Sequence, residues 1–414
     1  MAVIFLASFT YAQEHGIRFE NGLNWEQIKA KAKDEKKLIF IDCYATWCGP
    51  CKYMSENIFP MDSVGNFFNP NFISLKLQMD RTANDSEDVK KWYDLAKEIA
   101  KKYGVESYPT YLFFNSDGTL IHRIVGSSNS AAVFIDKASD AFNPDKQYIN
   151  LIKSYKFHLG DSTFLRNAIV VALNEGDKRN AEQIGNSYIK CIINPFAKDN
   201  LELFESMIFS SESAAFKLFY NNSRKIGDIM GFPDYAGGII RVVIEKEEIK
   251  PVLNKKRSRP DWNKLTAVLK LKYPQYADRV ISESKVKYYL DTKQYSYYDH
   301  AVLSFLKHYS KDLGTFDINS TAWDIFLNSS DKAVLMEAAT QLKIRIDQHT
   351  SKGGNYVNYV DTYANLLYKM GVKGNALYWE KIALSTAKDQ DMQDKVQTFA
   401  NTIDKIEKGE KTWD

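Results

Sequence analysis

Two cysteines separated by two residues, in "CYATWCGPCKYM" over residues 43–54, are the positions of this sequence best suited to chemistry. Such a pair can clip a metal, staple a fold or exchange electrons as a dithiol. The chain holds four cysteines, Cys43, Cys48, Cys51 and Cys191, which is too few for a disulfide scaffold and leaves no second CxxC to complete a zinc site. Its six histidines are scattered and form no HExxH, so the sequence assigns no metal and no cofactor. A disulfide exchanger needs a stabilised thiolate, a second thiol within reach and a group to move protons. Cys48 falls where an apolar run meets the start of a helix, so free backbone N–H groups and the helix dipole favour its thiolate. Pro50 suits an early helical position, and Cys51 lies one turn in, near enough to attack a mixed disulfide on Cys48. Asp42, six residues before Cys48 in the middle of the apolar run, is the candidate proton acceptor for Cys51. Pro109, in "SYPTY", precedes another strand, where an X-Pro bond can be cis although trans is its ordinary state. Cys43 alternates with Asp42 along the strand, faces the other side and reads as a buried spectator. Cys191, without a partner of matching context, reads as structural. A structural staple remains the main alternative for the Cys48–Cys51 pair.

The elements that must position these residues are legible in the hydrophobic pattern. "NWEQIKAKAK" opens with Asn24 as a cap and Gln27 three residues on, and places Trp25, Ile28 and Ala32 on one face of a helix. "KLIFIDCYA" is a short, nearly continuous apolar run, as expected of a central strand covered on both faces, and the CxxC follows at its carboxyl end. "NFISLKLQMD" is a second strand. "SEDVKKWYDLAKEIAKKYG" is predicted as one amphipathic helix, with Val89, Trp92, Leu95, Ala96 and Ile99 inward and Gly104 as its stop. "TYLFFNSDGTLIHRIVG" predicts two strands joined by a turn at Asn115–Gly118, a helix over "SAAVFIDKASDAF" follows, and "NPDK" at 143–146 punctuates the end of an α/β domain.

Beyond residue 146 strand signals nearly vanish and helical periodicity takes over. In "YVDTYANLLYKMGVKGNALYWEKIAL" the small residues Gly371, Ala376 and Ala383 allow two helices to pack closely, and "ALNEGDKRNAEQIGNSYI" repeats the Gly176, Ala181 spacing. This region resembles an irregular tetratricopeptide-like array, with a plain helical bundle as the alternative. "MAVIFLASFTYAQ" over 1–13 reads as an export signal cut near Gln13, with a buried N-terminal strand as the alternative, and no later run is long enough for a membrane helix. With 55 Lys and Arg against 52 Asp and Glu, a net charge of +3 gives no reason to expect nucleic acid, and the basic stretch "NKKRSRP" at 254–260 reads as a solvated loop.

"WCGPCK", the aspartate six residues ahead of the first cysteine, Lys76 on the next strand, Tyr108-Pro109-Thr110 and Gly126 after the last strand resemble the thioredoxin superfamily. The resemblance covers 14–145 and implies an α/β thioredoxin-like domain, followed over 146–414 by an all-α, helical-repeat-like domain. It implies Cys48 as nucleophile, Cys51 as resolving thiol, Asp42 as buried proton acceptor, Pro109 as a cis-proline facing the dithiol and Trp47 as a wall of the site. The segment "CKYMSENIFPMDSVGNFFNPNF" is closer to the periplasmic C-terminal domain of transmembrane thiol:disulfide interchange proteins than to plain thioredoxin. The stretch between Asp80 and Tyr103 is longer than in thioredoxin, and Tyr108 stands where a small aliphatic residue is usual. The implied function is an exported, reductive thiol:disulfide oxidoreductase acting on protein disulfides in the periplasm and supplied by a membrane electron donor. In this reading the helical region selects substrates or partners and the mature chain has no membrane span. The alternative is an interaction protein in which the helical array has the main role.

Overall fold

The computed structural model describes residues 15–254, 259–313, 315–348 and 354–413. The expected export signal over 1–13 and most of the basic stretch 254–260 lie outside the described residues. The chain divides into two compact units, Met1–Leu218 and Phe219–Asp414.

In the first unit, helix α1 (Trp25–Asp34) starts on a full capping box: the Asn24 side chain accepts from Gln27 N–H, and the Gln27 side chain accepts from Asn24 N–H. Strand β1 (Leu38–Tyr44) follows and leads into α2 (Gly49–Tyr53). The chain then widens into a π turn over Met54–Ile58, in which Phe59 N–H donates to Met54 O at 2.9 Å. The wider turn brings Met54, Ile58 and Phe59 together onto the core, where all three are buried. Helix α3 (Asp62–Asn71) leads to β2 (Phe72–Gln78).

The predicted helix over 86–104 is broken in two, α4 (Glu87–Lys90) and α5 (Tyr93–Tyr103). Trp92, with ψ −5°, interrupts the ladder, which lets Trp92 and Leu95 pack on the core while the Tyr93 hydroxyl donates to Asp85. Gly104 ends α5 in the left-handed conformation at φ +62°. Strands β3 (Thr110–Phe114) and β4 (Leu120–Val125) form the expected hairpin, and α6 (Ala131–Ser139) follows with Ser130 as its cap.

The sheet order is β2-β1-β3-β4, with β1 and β2 parallel and the other pairs antiparallel. Burial on both faces explains the nearly continuous apolar pattern of β1. One face carries Ile39, Ile41 and Cys43 against Ile28, Ala32 and Ile99 of the flanking helices. The other carries Phe40 in an aromatic cluster with Phe68, Phe134 and Tyr111, the rings of Phe68 and Phe134 stacked 5.1 Å apart. Burial of each such ring is worth about 1.5–3 kcal/mol.

Helices α7 (Tyr148–Ser154), α8 (Ser162–Asn174) and α9 (Lys178–Cys191) continue the first unit past the sheet. They are tied to it: Tyr148 N–H donates to His122 Nδ1 at 3.1 Å, and Lys178 pairs with Glu106 at 2.8 Å. Between α8 and α9, Gly176 takes φ +63° and Ala181 is buried. Among its described residues the second unit consists of helices and their connecting turns, with no strand. Its helices Gly354–Lys369 and Lys373–Asp389 pack side by side around the turn at Gly371, with Ala376 and Ala383 buried at the contact. No helix among the described residues is long and apolar enough to cross a membrane.

Candidate active site

The strand-to-helix junction after β1 sets the two cysteines. Cys48 is the N-cap of α2, with extended backbone at φ −78° and ψ 107°, and its Sγ accepts from Cys51 N–H at 3.1 Å. Gly49 and Pro50 fill the first two helical positions, where the N–H missing from proline costs nothing. One turn on, Cys51 reaches back, and the two sulfurs are joined as a disulfide. Both are nearly covered, at 3% and 4% exposure, with Tyr44 and Tyr108 packed against them. Trp47 is 70% exposed, and its ring meets Tyr108 edge-on at 5.8 Å. The Tyr108–Pro109 bond is cis, and Gly126 N–H donates to Pro109 O at 2.9 Å. Gly126 does so at φ +91°, a conformation that favours glycine.

Asp42 shares a sheet face with Phe40, the face covered by the chain from Met54 to Phe59 that continues the active-site helix. It is 1% exposed, and its Oδ1 has no hydrogen-bond partner. Burial raises its carboxyl to about 7, against the smaller opposing pull of Lys76. Lys76, opposite Asp42 on β2, holds its Nζ 4.0 Å from Asp42 Oδ2 and donates to Ser55 Oγ at 2.7 Å. The ammonium also lies 5.3 Å from the Tyr44 ring centroid. Lys76 thus links the buried acid to the segment that carries Cys51. Cys43 points to the opposite face, fully buried, and burial followed by the nearby Asp42 charge pushes its thiol far up. Half-buried Cys191, at the end of α9, donates its thiol to Tyr188 O at 3.2 Å.

All five predicted site residues gather around the disulfide or beneath the helix that bears it. Two features escaped sequence reasoning. Ser55 is the first, because it lies in the π turn and its partner Lys76 on β2, 21 residues away in sequence. The second is Asp80, which anchors the loop before the CxxC by accepting from Thr46 N–H at 3.0 Å and from the Thr46 hydroxyl. A sequence signal for Asp80 existed in its position just past β2, but nothing in it pointed to Thr46. Among the described residues no cluster of His, Cys, Asp and Glu is arranged to hold a metal. The arrangement offers a dithiol at a helix start, a nearby acid that changes protonation near neutral pH, and an exposed aromatic rim.

Residues 23–141 match the thioredoxin-like domain family. A thioredoxin H-type from Oryza sativa subsp. indica is 33% identical over 118 residues, which cover 28% of this chain and 81% of the relative. A candidate disulphide-isomerase from Bacteroides thetaiotaomicron is 36% identical, with 32% of this chain and 98% of that one covered and a TM-score of 0.26. The oxidised DsbD C-terminal domain of Neisseria meningitidis is 23% identical, with 28% and 90% covered and a TM-score of 0.22.

Proposed function

The chain belongs to the thioredoxin-like family and is a thiol:disulfide oxidoreductase, and from that premise we propose that it is an exported reductase of protein disulfides whose helical region selects substrates. The observation that carries this is the Cys48–Cys51 disulfide, with Cys48 at a helix start and Asp42 buried on the sheet face beneath. In the reduced enzyme the Cys48 thiolate attacks one sulfur of a substrate disulfide. A mixed disulfide forms, and the other substrate sulfur leaves as a thiolate that takes up a proton. Asp42, as the carboxylate, accepts the Cys51 proton, and the Cys51 thiolate attacks Cys48 Sγ. The Cys48–Cys51 bond forms as the mixed disulfide breaks, and the second substrate sulfur departs as a thiolate that takes up a proton. Two electrons have passed from enzyme to substrate, and a membrane thiol:disulfide electron donor restores the dithiol.

Trp47 and Tyr108 form the wall against which the substrate backbone lies, with Pro109 facing the dithiol. The Gly-Pro dipeptide favours a low potential, near the roughly −270 mV of thioredoxin, and hence donation of electrons. The chemistry resides in 14–145 and selection in 146–414, whose tetratricopeptide-like hairpins offer surface for protein segments. A periplasmic location fits both an oxidisable dithiol and protein disulfide substrates.

Partner trapping from a periplasmic extract tests this reading. Cys51→Ser should accumulate mixed disulfides that Cys48→Ser does not form. The full chain should trap partners that a fragment ending at Leu218 misses, because holding a substrate raises its effective concentration at Cys48. Equal trapping by the two cysteine variants would contradict the roles, and equal partner sets for the two lengths would contradict substrate selection by the helices beyond Leu218.

A further inference from the structure

The helical unit holds a cleft of about 890 Å³ among the helices Trp262–Lys272, Ala277–Asp291 and Tyr295–Tyr309. That volume lies within the usual span of ligand sites, about 300–1,000 Å³. Two cations on its walls are held by aromatic rings and not by acids. The Arg259 guanidinium lies 3.8 Å from the Tyr297 ring centroid and donates to Tyr289 Oη at 2.9 Å. Lys285 Nζ lies 5.9 Å from the Trp262 ring centroid. Among the described residues neither cation has a carboxylate within ion-pair distance. The two acids of the lining are engaged elsewhere: Asp278 pairs with Lys270 at 2.9 Å, and Asp261 caps its helix by accepting from Lys264 N–H at 3.0 Å.

Trp262 adds an unmet demand, since it is 7% exposed and its buried Nε1–H has no acceptor. Buried donors are ordinarily satisfied, and a guanidinium pre-positioned on a ring loses little freedom when it pairs with a carboxylate. The cleft therefore presents two cations without a paired acid and one buried donor without an acceptor, set among rings that can cover apolar surface. That combination suits a chain carrying carboxylates spaced by small or apolar groups.

We propose that this cleft binds an extended acidic segment of another protein, one carboxylate pairing with Arg259 and another with Lys285. The site needs neither cysteine and is independent of the redox chemistry. The test uses the full chain and a fluorescein-labelled, end-blocked octapeptide of alternating Glu and Ala, followed by anisotropy. Saturable binding is expected, weakened about tenfold by Arg259→Gln and by Lys285→Gln and weakened by added salt. The Gln-for-Glu peptide should not bind up to about 1 mM. Both variants should keep the parent circular dichroism and the parent rate of reduction of a small disulfide. Absence of Glu-peptide binding up to about 1 mM would overturn the proposal, as would equal binding of the two peptides or indifference to both substitutions. Tighter binding of a labelled eight-nucleotide oligothymidine would overturn it in favour of nucleic acid, and displacement of the peptide by equimolar free glutamate would reduce the site to one for small anions.

Discussion

Two buried acids, one in each compact unit, have similar electrostatics and different surroundings. Asp42 lies under the segment that continues the active-site helix and is linked to it by Lys76 and Ser55. Glu380 is fully buried in the helical unit, where its protonated carboxyl donates to the Asp361 carboxylate. Burial raises both carboxyls, and the facing Asp361 charge adds to the rise at Glu380. A raised carboxyl by itself therefore identifies no active site. What separates the two is a reactive partner, since no cysteine occurs in the second unit.

The comparison breaks most directly at the two acids themselves. Asp42→Asn should slow release of the mixed disulfide by about 100-fold near pH 8, the scale of a lost general base, with stopped-flow fluorescence as the readout. Glu380→Gln should leave that rate unchanged. The same Asp42→Asn should stabilise the first unit. The folded carboxyl sits at about 7 and the free one at 3.8, so Asp42 contributes its full stability below about pH 4 and loses it as pH rises through 7. At pH 8 the asparagine variant should gain up to about 4 kcal/mol in urea unfolding. A variant that is slower but no more stable would detach Asp42's chemistry from its burial.

Glu380→Gln should stabilise the helical unit by roughly 1–3 kcal/mol at neutral pH, because the glutamine keeps the packing without having to take up a proton on folding. The folded carboxyl lies above its ordinary 4.5, so the parent is most stable below that pH and weakens as pH rises. The gap between variant and parent should accordingly widen on the alkaline side. Lys76→Met sharpens the comparison further. Removing the ammonium takes away the one pull among the described residues that lowers Asp42, so the pH midpoint of exchange should move up by about 1 unit. Cys43→Ala should have the smallest effect: unchanged exchange and a stability loss of about 1 kcal/mol, as befits a side chain facing the other core.

The dithiol, the buried acid and the central strand were legible because each rests on local pattern. The period of β1 put Asp42 and Cys43 on opposite faces, and the Asn24 and Gln27 pair fixed the start of α1. What sequence reasoning missed depends on register and packing across the chain. Lys76 meets Asp42 only because β2 pairs with β1 in parallel, and Ser55 meets Lys76 only because the π turn faces that edge. The break at Trp92 was hidden because the apolar spacing from Val89 to Ile99 suits one helix, while the pull of Asp85 on Tyr93 is tertiary. Nothing local in the sequence marks Glu380, since its burial against Asp361 requires the hairpin around Gly371.

The central claim is that Cys48 is the attacking thiol, activated by its place at a helix start. Alkylation of the fully reduced chain with limiting iodoacetamide across pH, read by peptide mass spectrometry, tests it directly. Cys48 should be modified first, with a midpoint below the value of about 8.5 for a free cysteine, and Cys51 later and at higher pH. Modification of Cys51 first, or of both thiols together only above about 8.5, would contradict the account.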